Sequence, residues 1–346
     1  MNIPSTEPAT RNDDRTAQEL PATMRAMPFE GYGSAAWKPV DVALPDLEPD
    51  RFLVEVRAAS INPADLHMLG GSLVTRALSG FKKPSNPAPG SDVAGVVVRV
   101  GSAASGFRVG DEVFGGARGS LAGFASAKVL ARKPARLTFE QAAAIPIAGL
   151  TALQGLRDKG RLQPGSRVLI NGAAGGVGTF AVQIAKALGG EVTAVCGPGN
   201  GELVRSLGAD RVFDYTREDF AQSGERYDLV FDVVGNRSLR DLRRVLTPNG
   251  TLVLAGGGHQ DGHGKNMLRA LSKIGWSMMV RRFIKGRIAF FIAQFNPEDL
   301  ATLAKLVDEG KLMPCIDRTF PLDQTAEAFR YLATGHAKAK IVITTS

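Results

Sequence analysis

Two hydrophobic periods alternate through the middle of the chain. Residues 167–171, Arg-Val-Leu-Ile-Asn, form a short apolar run that breaks into a glycine cluster. Immediately beyond it Val177, Phe180, Ala181, Ile184, Ala185 and Leu188 recur at helical spacing until Gly189-Gly190 ends them. Further apolar runs at 191–195, 211–214, 228–234 and 250–255 read as strands, and 239–246 reads as a helix between the last two. Strands alternating with helices predict an α/β fold with an open parallel sheet covered on both faces.

The flanks are patterned differently. Residues 24–145 are β-rich, with strand-like runs at 52–58 and 93–100 and frequent punctuation at Pro89-Gly90, Gly101, Gly110-Asp111 and Gly115-Gly116. After about residue 290 the pattern predicts a helix over 297–309, a strand near 316–320, a helix over 324–334 and a terminal strand over 340–344. The expected organisation is a tail over 1–23, one domain from 24–145 with 290–346, and a second domain over 146–289 inserted between them.

The junction at 171–178 carries the first candidate chemistry. Gly172, Gly175, Gly176 and Gly178, with Ala173, Ala174 and Val177 between them, keep side chains from holding a ligand off the backbone. The free N–H groups of the helix that opens there suit a pyrophosphate, so a dinucleotide site is expected. At the end of the next strand an NAD-selective site carries an acid for the ribose 2′-hydroxyl. Here Cys196 and Gly197 stand in that place, with no acid until Glu202, so NADP(H) is the expected cofactor.

Composition narrows the class. With 346 residues, 44% hydrophobic and 22% charged, the chain reads as an ordinary globular protein of about two domains. No apolar run reaches the roughly 18 residues a membrane span needs. Residues 1–23 are polar and include Glu7, Asp13, Asp14 and Glu19, which fits a disordered tail rather than a targeting segment; a cytoplasmic location is expected. Cys196 and Cys315 offer neither a disulfide framework nor a metal box. The net charge of +8 is concentrated between Gly262 and Pro297, where Lys265, Arg269, Lys273, Arg281, Arg282, Lys285 and Arg287 meet no acid. That segment reads as a solvated helix face or as a docking surface for an anionic partner. No groove-reading or aromatic-interleaved pattern accompanies it, so no specific nucleic acid is expected.

Several longer motifs stand in order: AASINPAD at 58–65, PGSDVAGVVVRVG at 89–101, GDEVFG at 110–115, AAAIPIAGLTALQGL at 142–156, INGAAGGVG at 170–178, LGADRVFDY at 207–215 and GHAKAKIVIT at 335–344. Together they resemble the medium-chain dehydrogenase/reductase superfamily, in particular its zinc-free, zeta-crystallin-like quinone oxidoreductase branch, over roughly residues 24–345. The resemblance implies a GroES-like β-rich catalytic domain joined to a Rossmann domain, and NADPH-dependent reduction of a quinone or an α,β-unsaturated carbonyl. Zinc-containing members carry a Cys at the start of the segment that here reads Asn62-Pro-Ala-Asp-Leu-His67. They carry Gly-His-Glu where this chain has Gly90-Ser91-Asp92, and a further Cys near Ile147; those thiolate and imidazole ligands are missing here. His259 and His263, four apart in a glycine-rich loop, are poor substitutes.

By the same resemblance Asn62 sits at the nicotinamide–substrate face in place of a metal ligand. His67 falls where relatives carry a proton-relay histidine or a tyrosine, and either delivers a proton or packs beneath the site. Asp65 is expected to order the loop, because an unperturbed carboxyl is ionised at pH 7. Thr151, Cys196, Asn200, Tyr215 and Lys340 are the implied cofactor contacts besides the glycine loop. Three positions depart from related sequences. The basic residue of Cys-Ser-x-Arg/Lys-Asn is absent from Cys196-Gly-Pro-Gly-Asn200; Phe124-Ala-Ser-Ala127 replaces Phe-Ala-Glu-Tyr; and Ala339-Lys340 replaces Gly-Lys. A homodimer is expected through the edge of the nucleotide-binding sheet, near 250–255 and the apolar run 288–293. The competing readings are an enoyl-thioester reductase whose basic segment docks a phosphorylated carrier, and a non-enzymatic nucleotide-binding or RNA-associated protein of crystallin-like type.

Overall fold

The computed structural model describes residues 20–28, 31, 38–70, 76, 89–255 and 287–345 of the protein. At its N-terminal end β1 (Thr23–Ala26) pairs antiparallel with β2 (Val40–Ala43), so Thr23, expected in the tail, already belongs to a strand. β3 (Phe52–Ile61) organises the next part. It pairs along its length with β4 (Asp92–Val100), and β4 continues through β5 (Glu112–Arg118) to β6 (Phe124–Arg132). β6 returns to the first half of β3, and the four strands close around Phe52, Val54, Val93, Val97 and Val113. Closure removes the unpaired edges that would otherwise invite association. Between β3 and β4 stands α1 (Pro63–Gly70), whose proline at the first position needs no N–H there.

After β6 come α2 (Phe139–Ala143) and the almost wholly buried α3 (Pro146–Leu153), which lead into a parallel sheet with six strands among the described residues. Its strands are β7 (Arg167–Asn171), β8 (Glu191–Cys196), β9 (Arg211–Asp214), β10 (Tyr227–Asp232), β11 (Leu246–Leu254) and β12 (Arg287–Phe290), in the spatial order β9-β8-β7-β10-β11-β12. This is the doubly wound Rossmann order, with a switch point between β7 and β10. Val168, Leu169 and Ile170 on β7 and Leu229, Val230 and Phe231 on β10 are all buried, because helices cover both faces. α4 (Gly176–Ala187) follows β7, α5 (Gly201–Ser206) follows β8 and α6 (Leu239–Arg244) follows β10.

Two boundaries differ from the sequence pattern. The helix expected over 239–246 stops at Arg244, and β11 begins at Leu246 rather than 250. The pairing explains it: Tyr227 opposes Leu246, and the next pair is Leu229 with Thr251, so Pro248 and its neighbours bulge out of register where proline has no N–H to give. β12 pairs outside β11. Among the described residues the edge of the sheet is therefore β12, which overlaps the expected 288–293, whereas 250–255, also expected at the edge, lies one strand inside.

The chain then returns through α7 (Pro297–Asp308), β13 (Ile316–Pro321) and α8 (Thr325–Ala333) to β14 (Lys340–Thr344). β14 pairs antiparallel with the second half of β3, from Ile341 opposite Ile61 to Thr344 opposite Ala58. That pairing extends β3 three residues past the expected 58, and it carries Ala339 and Lys340 to the loop after β7.

Candidate active site

The loop after β7 is shaped by its backbone. Gly172 has a φ of +88°, and a Cβ there would lie 2.5 Å from Cγ2 of Val234. A Cβ on Gly178 would lie 2.1 Å from the carbonyl oxygen of Gly172. These two glycines make the tight turn and the close helix–strand packing. The N–H groups of Gly172 and Ala173 both donate to the carbonyl of Val195, 3.0 Å away, tying the loop to β8. Gly175 is the N-cap of α4, and a Cβ there would touch only the Gly172 carbonyl at 3.4 Å. An open, glycine-lined helix start of this kind fits a phosphate group.

Ala339 lies directly against this loop. Its N–H donates to the carbonyl of Ala174 at 2.8 Å, and it bridges to Gly175. Its φ is +55°, a left-handed conformation that favours glycine, the residue related sequences carry there. The side chain of Lys340 then passes Gly176, whose Cβ position lies 3.2 Å from the lysine Cδ.

Beyond Gly176 the lysine enters a second, side-chain-built cluster. The Lys340 ammonium donates to Asn62 Oδ1 at 2.6 Å and lies 3.4 Å from Asp92 Oδ2. Asp92 Oδ2 also accepts from Ser60 Oγ at 2.8 Å and from Asn62 Nδ2 at 2.9 Å, while Oδ1 accepts from the backbone N–H of Ile147 at 3.0 Å. Lys340 is 3% exposed and Asp92 0%, so the two charges are withdrawn from water together, each with several hydrogen bonds. Thr151 turns its hydroxyl back to the Ile147 carbonyl at 2.7 Å and steadies the start of α3. The expected cofactor residue Lys340 thus reaches both the glycine loop and Asn62. Asn62 has its amide fixed at both ends rather than presented free.

α1 carries Asp65, expected to order the loop, and His67, expected either to deliver a proton or to pack beneath the site. Asp65 Oδ2 accepts from the backbone N–H of Asn62 at 2.7 Å, which closes the first turn of the helix. Its carboxyl is not the unperturbed group the sequence suggested. Although the residue keeps some contact with solvent, burial pushes it from 3.8 up to about 7; the Asn62 N–H opposes that shift, the nearby Asp92 charge adds to it and Lys340 opposes it. His67, half-buried on the same helix, is moved the other way: desolvation lowers its pKa and favours the neutral imidazole.

The far end of the parallel sheet holds Cys196, Asn200 and Tyr215. Cys196 closes β8, buried, and burial raises its thiol pKa, the Asp214 charge adding and Arg205 opposing. The Tyr215 N–H donates to the Cys196 carbonyl, and the tyrosine hydroxyl lies 3.1 Å from the Cβ position of Gly197. Asn200 Oδ1 is buried with no hydrogen-bond partner among the described residues, and so is Asp232 Oδ2 at the end of β10. Asp232 Oδ1 meanwhile accepts from Asn171 Nδ2 and from the N–H groups of Val234 and Gly235, bracing the loops on both sides of the switch point. Unsatisfied acceptors along the carboxyl ends of the strands, beside an open glycine loop, suit a bound dinucleotide.

The same order of parts appears in known proteins. Residues 48–128 match the model of the alcohol dehydrogenase GroES-like domain, and residues 207–343 that of a zinc-binding dehydrogenase. The chain is 34% identical to a 2-methylene-furan-3-one reductase of Solanum lycopersicum over 99% of its own length and 84% of that protein. The chain belongs to the medium-chain dehydrogenase/reductase superfamily. As an oxidoreductase of this superfamily it is also 32% identical to an NADPH-dependent alkenal/one oxidoreductase, chloroplastic, of Arabidopsis thaliana, over 94% of this chain and 80% of that one. The solved quinone oxidoreductase of Coxiella burnetii superposes with a TM-score of 0.78 at 31% identity, covering 94% of this chain and all of that one.

Among the described residues no three His, Cys, Asp or Glu side chains are grouped to hold an ion, and the Asp92 carboxylate is engaged by an ammonium. His259 and His263 lie outside the described residues, as do all the basic residues of 262–297 except Arg287. Among the described residues no helix is long and apolar enough to cross a membrane. Sequence reasoning missed Ser60, Asp232 and the use of Asp92; only its place in PGSDVAG could have singled out Asp92.

Proposed function

We propose that this oxidoreductase is zinc-independent and uses NADPH to reduce α,β-unsaturated carbonyls and quinones. The observation that carries the reading is the Lys340–Asn62–Asp92 cluster, which fills with an ammonium, an amide and a carboxylate the ground that zinc-containing members give to metal ligands. Without a Lewis acid to polarise it, an isolated carbonyl is a poor acceptor, whereas a conjugated one delocalises the charge as it forms. The similarity to reductases of these substrates supports the same class.

Bound NADPH supplies the hydride. Gly176 and Val177 offer N–H groups to its pyrophosphate, with Gly172, Ala173, Ala174, Gly178 and Gly175, whose own N–H donates to the Gly172 carbonyl, shaping their approach. Thr151 and Lys340 hold the ground near the nicotinamide, and Cys196, Asn200 and Tyr215 line the adenosine end. Asn62 positions the nicotinamide–substrate face, its orientation fixed by Lys340 and Asp92. Reducing an enone adds a hydride at one carbon and a proton at its neighbour or at oxygen. Asp65, titrating at about 7, holds a proton near neutral pH that this step can draw on, and His67 relays between it and solvent. The exposed apolar residues at the end of β12 and just after it, Phe290 at 42% and Ile292 at 81%, fit a homodimer, which light scattering checks.

The test is NADPH oxidation across quinones, alkenals and enoyl thioesters, with elemental analysis of the same protein. Turnover of quinones and alkenals that survives chelation is expected. One zinc per chain, lost together with activity, would overturn the reading.

A further inference from the structure

We infer that Arg205, one turn into α5, is the cation that recognises the 2′-phosphate of the cofactor and takes over the task of the basic residue missing from the turn after β8. The inference rests on the NADPH reading above and names the residue that would give that site its selectivity.

The turn 197–201 has no cation of its own. Gly199 has a φ of +75°, so the position that carries Arg or Lys in related sequences has a backbone that suits glycine. Gly197, Gly199 and Gly201 carry no Cβ atoms, and two side chains reach the turn from outside it. The Tyr215 hydroxyl stands 3.1 Å from the Cβ position of Gly197. Arg205 folds back along α5, and its Nη1 lies 3.1 Å from the Cβ position of Gly201. Side chains on a helix lean toward its N-terminus, so a residue four positions on is the one placed to do this.

Two further observations point the guanidinium at this turn. Its charge is felt at Cys196, where it opposes the rise of the thiol pKa, so it lies near the end of β8 as well as over Gly201. It is exposed, and among the described residues no carboxylate pairs with it. The neighbouring acid, Asp214, is occupied: its Oδ1 accepts from the N–H and the hydroxyl of Thr216, and its Oδ2 lies 3.8 Å from Arg217. Glu202, in the first turn of α5, is exposed. A dianionic phosphate ester set between the Tyr215 hydroxyl and Arg205 would meet one neutral donor and one planar, multidentate cation.

The experiment compares binding of 2′,5′-ADP and 5′-AMP, two probes that differ only in the 2′-phosphate, to the full chain and to Arg205→Ala and Arg205→Lys. Calorimetry reads affinity directly, without turnover, and thermal unfolding checks the fold. Because the site is open to water, loss of this one charge-assisted contact is expected to weaken 2′,5′-ADP by about tenfold and to leave 5′-AMP unchanged. Arg205→Lys should keep part of the preference and make it more salt-sensitive. If the unaltered chain prefers 2′,5′-ADP and Arg205→Ala keeps that preference, the assignment to Arg205 is wrong and the NADPH reading stands. If the unaltered chain binds the two probes equally, the NADPH reading fails and the role of Arg205 fails with it.

Discussion

The two halves of the site are built by opposite means. The glycine loop between β7 and α4 is made of backbone, and its residues are neighbours in sequence. The polar cluster below it is made of side chains, drawn from Ser60, Asn62, Asp92 and Lys340, so that Lys340 and Asn62 meet across 278 positions. The loop is specified by what it lacks, Cβ atoms, and tolerates no addition at Gly172 or Gly178. The cluster is specified by mutual satisfaction, and tolerates no single removal. Ala339 is where they touch, through its N–H to Ala174.

The largest effect should come from breaking the loop. Adding a methyl group at Gly178 drives a Cβ to 2.1 Å from the Gly172 carbonyl, and neither backbone can yield without opening the β7–α4 junction. Gly178→Ala should lose about 4 kcal/mol or more of stability, together with nucleotide binding. Denaturant unfolding and NADPH fluorescence titration check it; a stable variant that binds normally would show that the loop is softer than its geometry implies.

Breaking the cluster at one partner comes next. Lys340→Met leaves the Asp92 carboxylate buried without its cation, at a cost of about 3–5 kcal/mol. Removing both charges, as Lys340→Met with Asp92→Leu, should recover much of that loss, and the double-mutant cycle isolates the pair. Equal losses in the single and double variants would mean that the lysine acts through packing alone.

A smaller, pH-dependent effect belongs to Asp65. Its folded-state pKa, about 7, lies above the ordinary 3.8, so the protonated form is favoured by folding. The stability this gives is fully present below about 3.8 and is lost as pH rises through about 7. Asp65→Asn has no such loss. Its melting temperature should exceed that of the unaltered chain at pH 8.5, by an amount equivalent to roughly 2–3 kcal/mol, and the gap should shrink toward pH 5. A constant gap across this range would remove the titration from the account.

The smallest change sharpens the contact between the halves. Ala339 sits at φ +55°, and Ala339→Gly relieves the left-handed strain at the cost of a looser unfolded chain. A net gain of about 0.5–1 kcal/mol is expected. Any loss would place the methyl group in packing that outweighs the strain.

Local chemistry was legible in advance wherever its cause was local. The helix after the glycine cluster, α4, is found where its apolar period ran, and β9 and β14 have the bounds their patterns indicated. The sequence by itself determined the parallel sheet, the glycine loop and the missing acid after β8, because hydrophobic period, absent Cβ atoms and absent charge are properties of neighbouring residues. It did not determine that Asn62 would be locked by Lys340, that burial would bring Asp65 to neutrality, or that β3 would run on to Ile61 against β14. Nor did it show Arg205 folding back over Gly201. Those outcomes depend on desolvation and on partners distant in the chain, and only the folded tertiary structure sets which groups leave water together.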